Sequence, residues 1–110
     1  MEGPSLRNAP RMLLHNPIEL RVGDRTIRIK DAVGNLSVRG LFINFADLPV
    51  NTTVHVKIPA RDTFEADGVV RFCEPRGGGI GIEFTTITEL NRKHLEALIA
   101  LLTEKEAPTA

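Results

Sequence analysis

An all-β barrel with one C-terminal helix is the fold this sequence predicts, and three observations predict it. From residue 17 to residue 84, apolar and polar side chains alternate in segment after segment, the period of half-buried strands. Turn-forming residues separate those segments at short intervals. After Thr88 the period changes to three and four residues, the spacing of an amphipathic helix.

Residues 1–16 read as a polar arm. Pro4 and Pro10 lack an amide donor and turn their neighbours away from helix. Leu6, Met12, Leu13 and Leu14 are its apolar anchors. Such an arm is expected to move freely unless something holds it. Ile18, Leu20 and Val22 then alternate with Glu19 and Arg21, Gly23-Asp24 makes a turn, and Ile27 and Ile29 alternate with Arg28 and Lys30. Residues 18–22 and 25–31 therefore form a hairpin. Residues 31–37 read as a strand that breaks into a turn, and 41–45 as a short apolar strand. A loop over 47–52, with Pro49 and Asn51, leads into Val54, Val56 and Ile58, a strand that Pro59 ends. Asp62-Thr63 turns the chain into a strand over 64–72. Residues 74–79 make a tight, Gly-rich connection, and Ile80, Ile82 and Phe84 mark the last strand. Thr88 is placed to cap a helix over about 89–103 whose apolar face carries Leu90, His94, Leu95, Leu98, Leu101 and Leu102. The organisation that follows is an arm over 1–16, one barrel-and-helix domain over 17–104 and a tail over 105–110. Short strands closing on themselves, with one helix against them, are the simplest architecture.

Composition narrows the function classes. Within 110 residues there is room for one domain and one modest core. The formal net charge is zero, from 14 basic and 14 acidic residues, so the broad positive field of a DNA- or RNA-binding domain is missing. Five Phe, with no Trp or Tyr, are too few for a general single-strand nucleic-acid platform such as an OB-like barrel. Cys73 is the only cysteine, which excludes an internal disulfide and a cysteine-cluster metal site; in its apolar run it reads as a buried, inert thiol. No apolar run approaches the roughly 18 residues that span a bilayer, and the N-terminus lacks a signal-peptide core. The expected location is the cytoplasm. Carboxylates are scattered along the chain and no nucleophile–base set is evident, so no enzyme activity, metal or cofactor is expected. His15, His55 and His94 lack metal-type spacing; His55 reads as a solvent-facing strand position and His94 as a helix residue packed on the barrel. Gly77-Gly78-Gly79 lacks the Lys-Ser/Thr of a phosphate loop and reads as a hairpin turn.

Two polar clusters remain. Arg7 and Arg11 stand four positions apart with Pro10 stiffening the segment. Each guanidinium can donate a bidentate pair to a phosphate or a guanine O6/N7 edge, or stack on a base. Alone, the pair reads first as two solvated charges, because the chain is rich in Arg and the spacing arises readily by chance. Asn35-Leu36-Ser37-Val38-Arg39-Gly40 combines two residues that bond nearby backbone with a glycine that admits a close approach. Alone, it reads as a strand-to-strand turn.

Together, Arg7-x-x-x-Arg11 and Asn35-x-Ser37-x-x-Gly40 resemble the signature of the PilZ family. The resemblance runs over residues 5–103 and includes Gly40-Leu41-Phe42-Ile43, Leu48-Pro49-Val50-Asn51-Thr52 and Gly79-Ile80-Gly81-Ile82-Glu83-Phe84. It implies a six-stranded antiparallel PilZ-type β-barrel with a C-terminal amphipathic helix. It also implies a bacterial receptor for the second messenger cyclic di-GMP, bound on the barrel exterior. Arg7 and Arg11 would grip guanines and phosphates, Asn35 and Ser37 would bond a guanine edge, and Gly40 would leave room for it. Asn35 stands where Asp is commoner in the family, and Leu6 stands where many members have a further basic residue, so affinity and the number of nucleotides held are left open. The expected mechanism is an arm that orders over the nucleotide and presents a new surface to an unidentified downstream protein. The alternative is a PilZ-like interaction module that binds no nucleotide.

Overall fold

The computed structural model describes residues 12–45, 48–74 and 78–106. Six strands, β1 (Met12–Val22), β2 (Arg25–Leu36), β3 (Gly40–Ile43), β4 (Thr53–Ile58), β5 (Phe64–Glu74) and β6 (Gly79–Thr86), are followed by one helix, α1 (Glu89–Glu106). The strands pair antiparallel in the order β1-β2-β3-β6-β5-β4, and β4 pairs back onto β1, so the sheet closes into a barrel. Closure removes the edges on which an open sheet would recruit another chain.

Alternation decides which side chains go inside. Leu14, Leu20, Leu36, Leu41, Ile43, Val54, Val56, Ile58, Phe64, Ile80 and Ile82 are buried to within about a percent of complete and fill the barrel. On α1, Leu95, Leu98 and Leu102 share one face and are buried, and the helix packs on β1 and β5. The Thr88 hydroxyl accepts the Asn91 amide N–H at 3.1 Å, the N-cap bond the sequence led us to expect. Two further bonds dock the helix: the Glu65 N–H donates to Asn91 Oδ1 at 2.9 Å, and His94 Nδ1 meets the Thr63 carbonyl at 2.9 Å.

Several boundaries differ from the sequence reading, each for a physical reason. The first strand starts at Met12, so residues 12–16, read as arm, pair with Ala32–Leu36 of β2. Leu14 is fully buried while Leu13 is 65% exposed, and an unbroken Met-Leu-Leu run hides that alternation. Pro17 marks a register shift between Asn16 and Ile18; a residue without an N–H fits at such an irregularity. The two segments read over 25–37 are one strand up to Leu36, and α1 runs on to Glu106. Cys73, expected to be buried, is exposed. It pairs with Ile80 near the β5–β6 connection, one residue before β5 ends at Glu74.

Candidate functional site

β2 ends at Leu36 and β3 begins at Gly40, so the second polar cluster is the connection between them. Ser37 builds it. Its N–H donates to the Gly40 carbonyl at 2.9 Å, and its Oγ accepts the N–H groups of Arg39 at 3.1 Å and Gly40 at 3.3 Å. Ser37 is 2% exposed, the one buried polar residue among the described core positions. A hydroxyl has two acceptor lone pairs and one hydrogen. The turn uses both lone pairs, so toward a ligand Ser37 can act only as a donor. The Arg39 carbonyl accepts the Phe84 N–H at 2.9 Å and carries the β3–β6 ladder one residue into the turn.

Asn35 lies one residue before the end of β2, half-buried, opposite Leu13 on β1 and Phe42 on β3. Phe42 in turn faces Gly81 on β6, and Gly81 faces Phe72 on β5. The flanking rows, such as Leu36, Leu41 and Ile82, are buried in the barrel, so this row points outward. Within it the Phe42 and Phe72 rings stack at a centroid distance of 6.0 Å and an interplanar angle of 19°. Gly81 makes that contact possible: a Cβ there would sit 2.3 Å from Phe72 Cε2. At Gly34 a Cβ would come 1.7 Å from the Phe42 carbonyl oxygen, so β3 lies against bare backbone beside Asn35. Leu13 and Val33 extend the exterior as exposed apolar side chains. The sequence reading missed the ring pair because its members are thirty residues apart; the available signal was Gly81 inside an otherwise apolar strand.

The structure thus gathers Asn35, Ser37 and Gly40 at one end of the β2–β3 pair. Arg7 and Arg11 lie outside the described residues.

On the wall opposite β3 in the strand order is a second polar group. His55 on β4 meets Asp67 Oδ1 through Nδ1 at 2.8 Å and Glu65 Oε1 through Nε2 at 2.8 Å, both from β5. It was read as solvent-facing, with the carboxylates scattered, yet its side chain is only 26% exposed and two carboxylates flank it. Only the imidazolium donates from both nitrogens. The bonds to Asp67 and Glu65 accordingly raise the His55 pKa above its ordinary 6.5, against a smaller opposing effect of burial. The same bond lowers Glu65 below its ordinary 4.5.

The comparisons with known proteins fit this geometry. A PilZ domain profile matches residues 5–101. The chain belongs to the PilZ family. Solved structures share its fold, two of them as follows. The inhibitor of motility MotI/DgrA of Bacillus subtilis superposes with a TM-score of 0.67 at 16% identity, over 97% of this chain and 55% of that one. This PilZ domain therefore spans about half of the MotI/DgrA chain. The PilZ domain of CeSA from a cellulose-synthesising bacterium superposes with a TM-score of 0.64 at 16% identity, over 90% of this chain and 100% of that one. No curated protein sequence matches. Among the described residues no helix is long and apolar enough to cross a membrane.

Proposed function

We propose that this PilZ domain is a non-catalytic receptor for cyclic di-GMP that holds the nucleotide between Arg7 and Arg11 and the Asn35–Gly40 turn, and reports its occupancy to a partner protein. The observation that carries the reading is the exterior row in which Asn35 stands beside the stacked Phe42 and Phe72 rings. A guanine presents a flat face and a hydrogen-bonding edge. Aromatic rings suit the face, and an amide, which both donates and accepts, suits the edge. The buried Ser37 hydroxyl has one hydrogen left to donate. Arg7 and Arg11 supply charge-assisted bonds to phosphate or to guanine O6/N7, offsetting the entropy lost as the arm orders. The ordered arm is the new surface that the partner reads, a disorder-to-order switch. The partner belongs to a regulated machine; motility and cellulose synthesis, named for the structural neighbours, are two candidates.

Calorimetric titration with cyclic di-GMP, beside an Arg7→Ala/Arg11→Ala double variant, tests the reading. Saturable heat lost in the variant supports it, and the stoichiometry gives the number of nucleotides held. Absence of binding to folded wild-type protein, confirmed by a second method, rejects it in favour of a module that works through protein contacts alone. Hydrogen exchange over residues 5–12 should slow at saturating nucleotide.

A further inference from the structure

A cleft of about 330 Å³ lies where the 37–39 turn, the end of β6 and the first turns of α1 meet. Arg39 lines it from the turn, Thr85 from β6 and Arg92 from α1, with Phe84 and Ile87 as apolar lining. We propose that this cleft, which takes Val38 and Arg39 from the Asn35–Gly40 turn, is a second anion site beside the nucleotide site and binds a phosphoryl group.

Charge is the first argument. The Arg39 and Arg92 side chains have no ion-pair partner among the described residues, whereas Arg28 is paired with Glu19 and Arg71 with Glu83. The one acid that lines the cleft, Glu83, is bonded to Arg71 Nε at 2.6 Å, so a cation already faces its charge. In a chain of zero net charge, two uncompensated guanidiniums in one recess make a local positive centre. The second argument is donor chemistry. Two guanidinium forks and a hydroxyl, from three different elements, match an oxyanion with three terminal oxygens better than a carboxylate with two. The third is rigidity. Arg39 is fixed by its N–H to Ser37 Oγ and its carbonyl to the Phe84 N–H, and the Arg92 N–H donates to the Thr88 carbonyl at 2.8 Å. Held backbones reduce the ordering that binding requires. The lining shares no residue with the Asn35, Phe42 and Phe72 row, while Val38 and Arg39 belong to the Ser37 turn, so the two sites adjoin through that turn.

The phosphoryl group can come from a free phosphate ester or from a phosphorylated side chain of a partner protein. The test is a 15N NMR titration of the full chain at constant ionic strength, in two arms: pyrophosphate and a phosphoserine tripeptide. A saturable shift of the Arg39, Thr85 and Arg92 resonances by either ligand is expected, and the tighter ligand identifies the source. Arg92→Gln and Arg39→Gln should each weaken binding about tenfold, the loss of one charge-assisted contact. Arg25→Gln, an exposed hairpin position, should change nothing. Each titration is repeated with saturating cyclic di-GMP, and the shifts should persist. No saturable response to either ligand, an equal loss in Arg25→Gln, or displacement by cyclic di-GMP would overturn the proposal. The arms without nucleotide read out even if the protein binds no cyclic di-GMP, so failure of the receptor reading is seen separately.

Discussion

Ser37→Ala is the substitution whose consequence follows most directly from the geometry. Alanine removes the acceptor of two N–H groups and leaves the backbone in place. The two losses are unequal. The Gly40 N–H is in a buried bond, so it is left without a partner and carries a desolvation penalty of about 1–3 kcal/mol. Arg39 is exposed, and its N–H can exchange the lost bond for water at a net loss of about 0.5–1 kcal/mol. The sum is roughly 1.5–4 kcal/mol of folding stability. With a urea m-value of about 2 kcal/mol/M, the unfolding midpoint should fall by about 0.75–2 M at unchanged m. Hydrogen exchange should accelerate at Gly40 more than at strand amides such as Val56. A midpoint shift below about 0.3 M would refute the reasoning, because it would show that the turn holds its shape without the hydroxyl.

Other outcomes follow from the same coordinates. Gly81→Ala places a methyl 2.3 Å from the Phe72 ring, so it should destabilise the fold by about 1–3 kcal/mol in a denaturant melt and separate the Phe42–Phe72 pair. Phe72→Leu keeps most of the apolar volume and should weaken cyclic di-GMP about tenfold in calorimetry if a guanine stacks on the pair, a loss within the 1–3 kcal/mol typical of a base–aromatic contact. His55→Gln should reveal a pH window. The raised His55 pKa contributes stability that is full below 6.5 and is lost as pH rises through the folded value. The lowered Glu65 pKa contributes stability that is full above 4.5 and is lost as pH falls through the folded value. The wild-type advantage over the variant in urea melts should therefore peak between pH 4.5 and 6.5 and shrink on either side, with Arg21 and Lys57 as the neighbouring cations that help hold Glu65 ionised.

Legibility in the sequence followed the range of the interaction. A barrel has one inside and one outside, so each strand repeats the same binary choice, and Leu20, Val56 and Ile82 declared themselves by alternation alone. The helix did so through Thr88 and its leucines. What depends on register was hidden. His55, Glu65 and Asp67 are ten and twelve residues apart and become neighbours only because β4 pairs with β5 so that His55 faces Asp67. Phe42 and Phe72 meet across Gly81 for the same reason. The exposure of Cys73 follows a register shift between Val70 and Phe72, which the sequence does not disclose. In the candidate site, Ser37 and Gly40 were legible as a turn and Asn35 as a polar strand residue, but the aromatic neighbours of Asn35 were not.

The geometry of the turn also changes the weight each residue of the polar cluster carries as evidence for a ligand. Ser37 is buried and gives both lone pairs to backbone N–H groups, and the Gly40 N–H and carbonyl are tied to Ser37. A β2–β3 connection of this shape would use Ser37 and Gly40 with or without a nucleotide. Asn35 differs: it stands at an exterior position of β2 between Leu13 and Phe42, outside the Ser37–Gly40 hydrogen bonds. The turn's own hydrogen bonds account for Ser37 and Gly40, so the test of nucleotide binding falls on Asn35 and the two arginines. Asn35→Val should remove cyclic di-GMP binding in calorimetry while the Ser37–Gly40 bonds stay intact, whereas Ser37→Ala should lower folding stability and binding together.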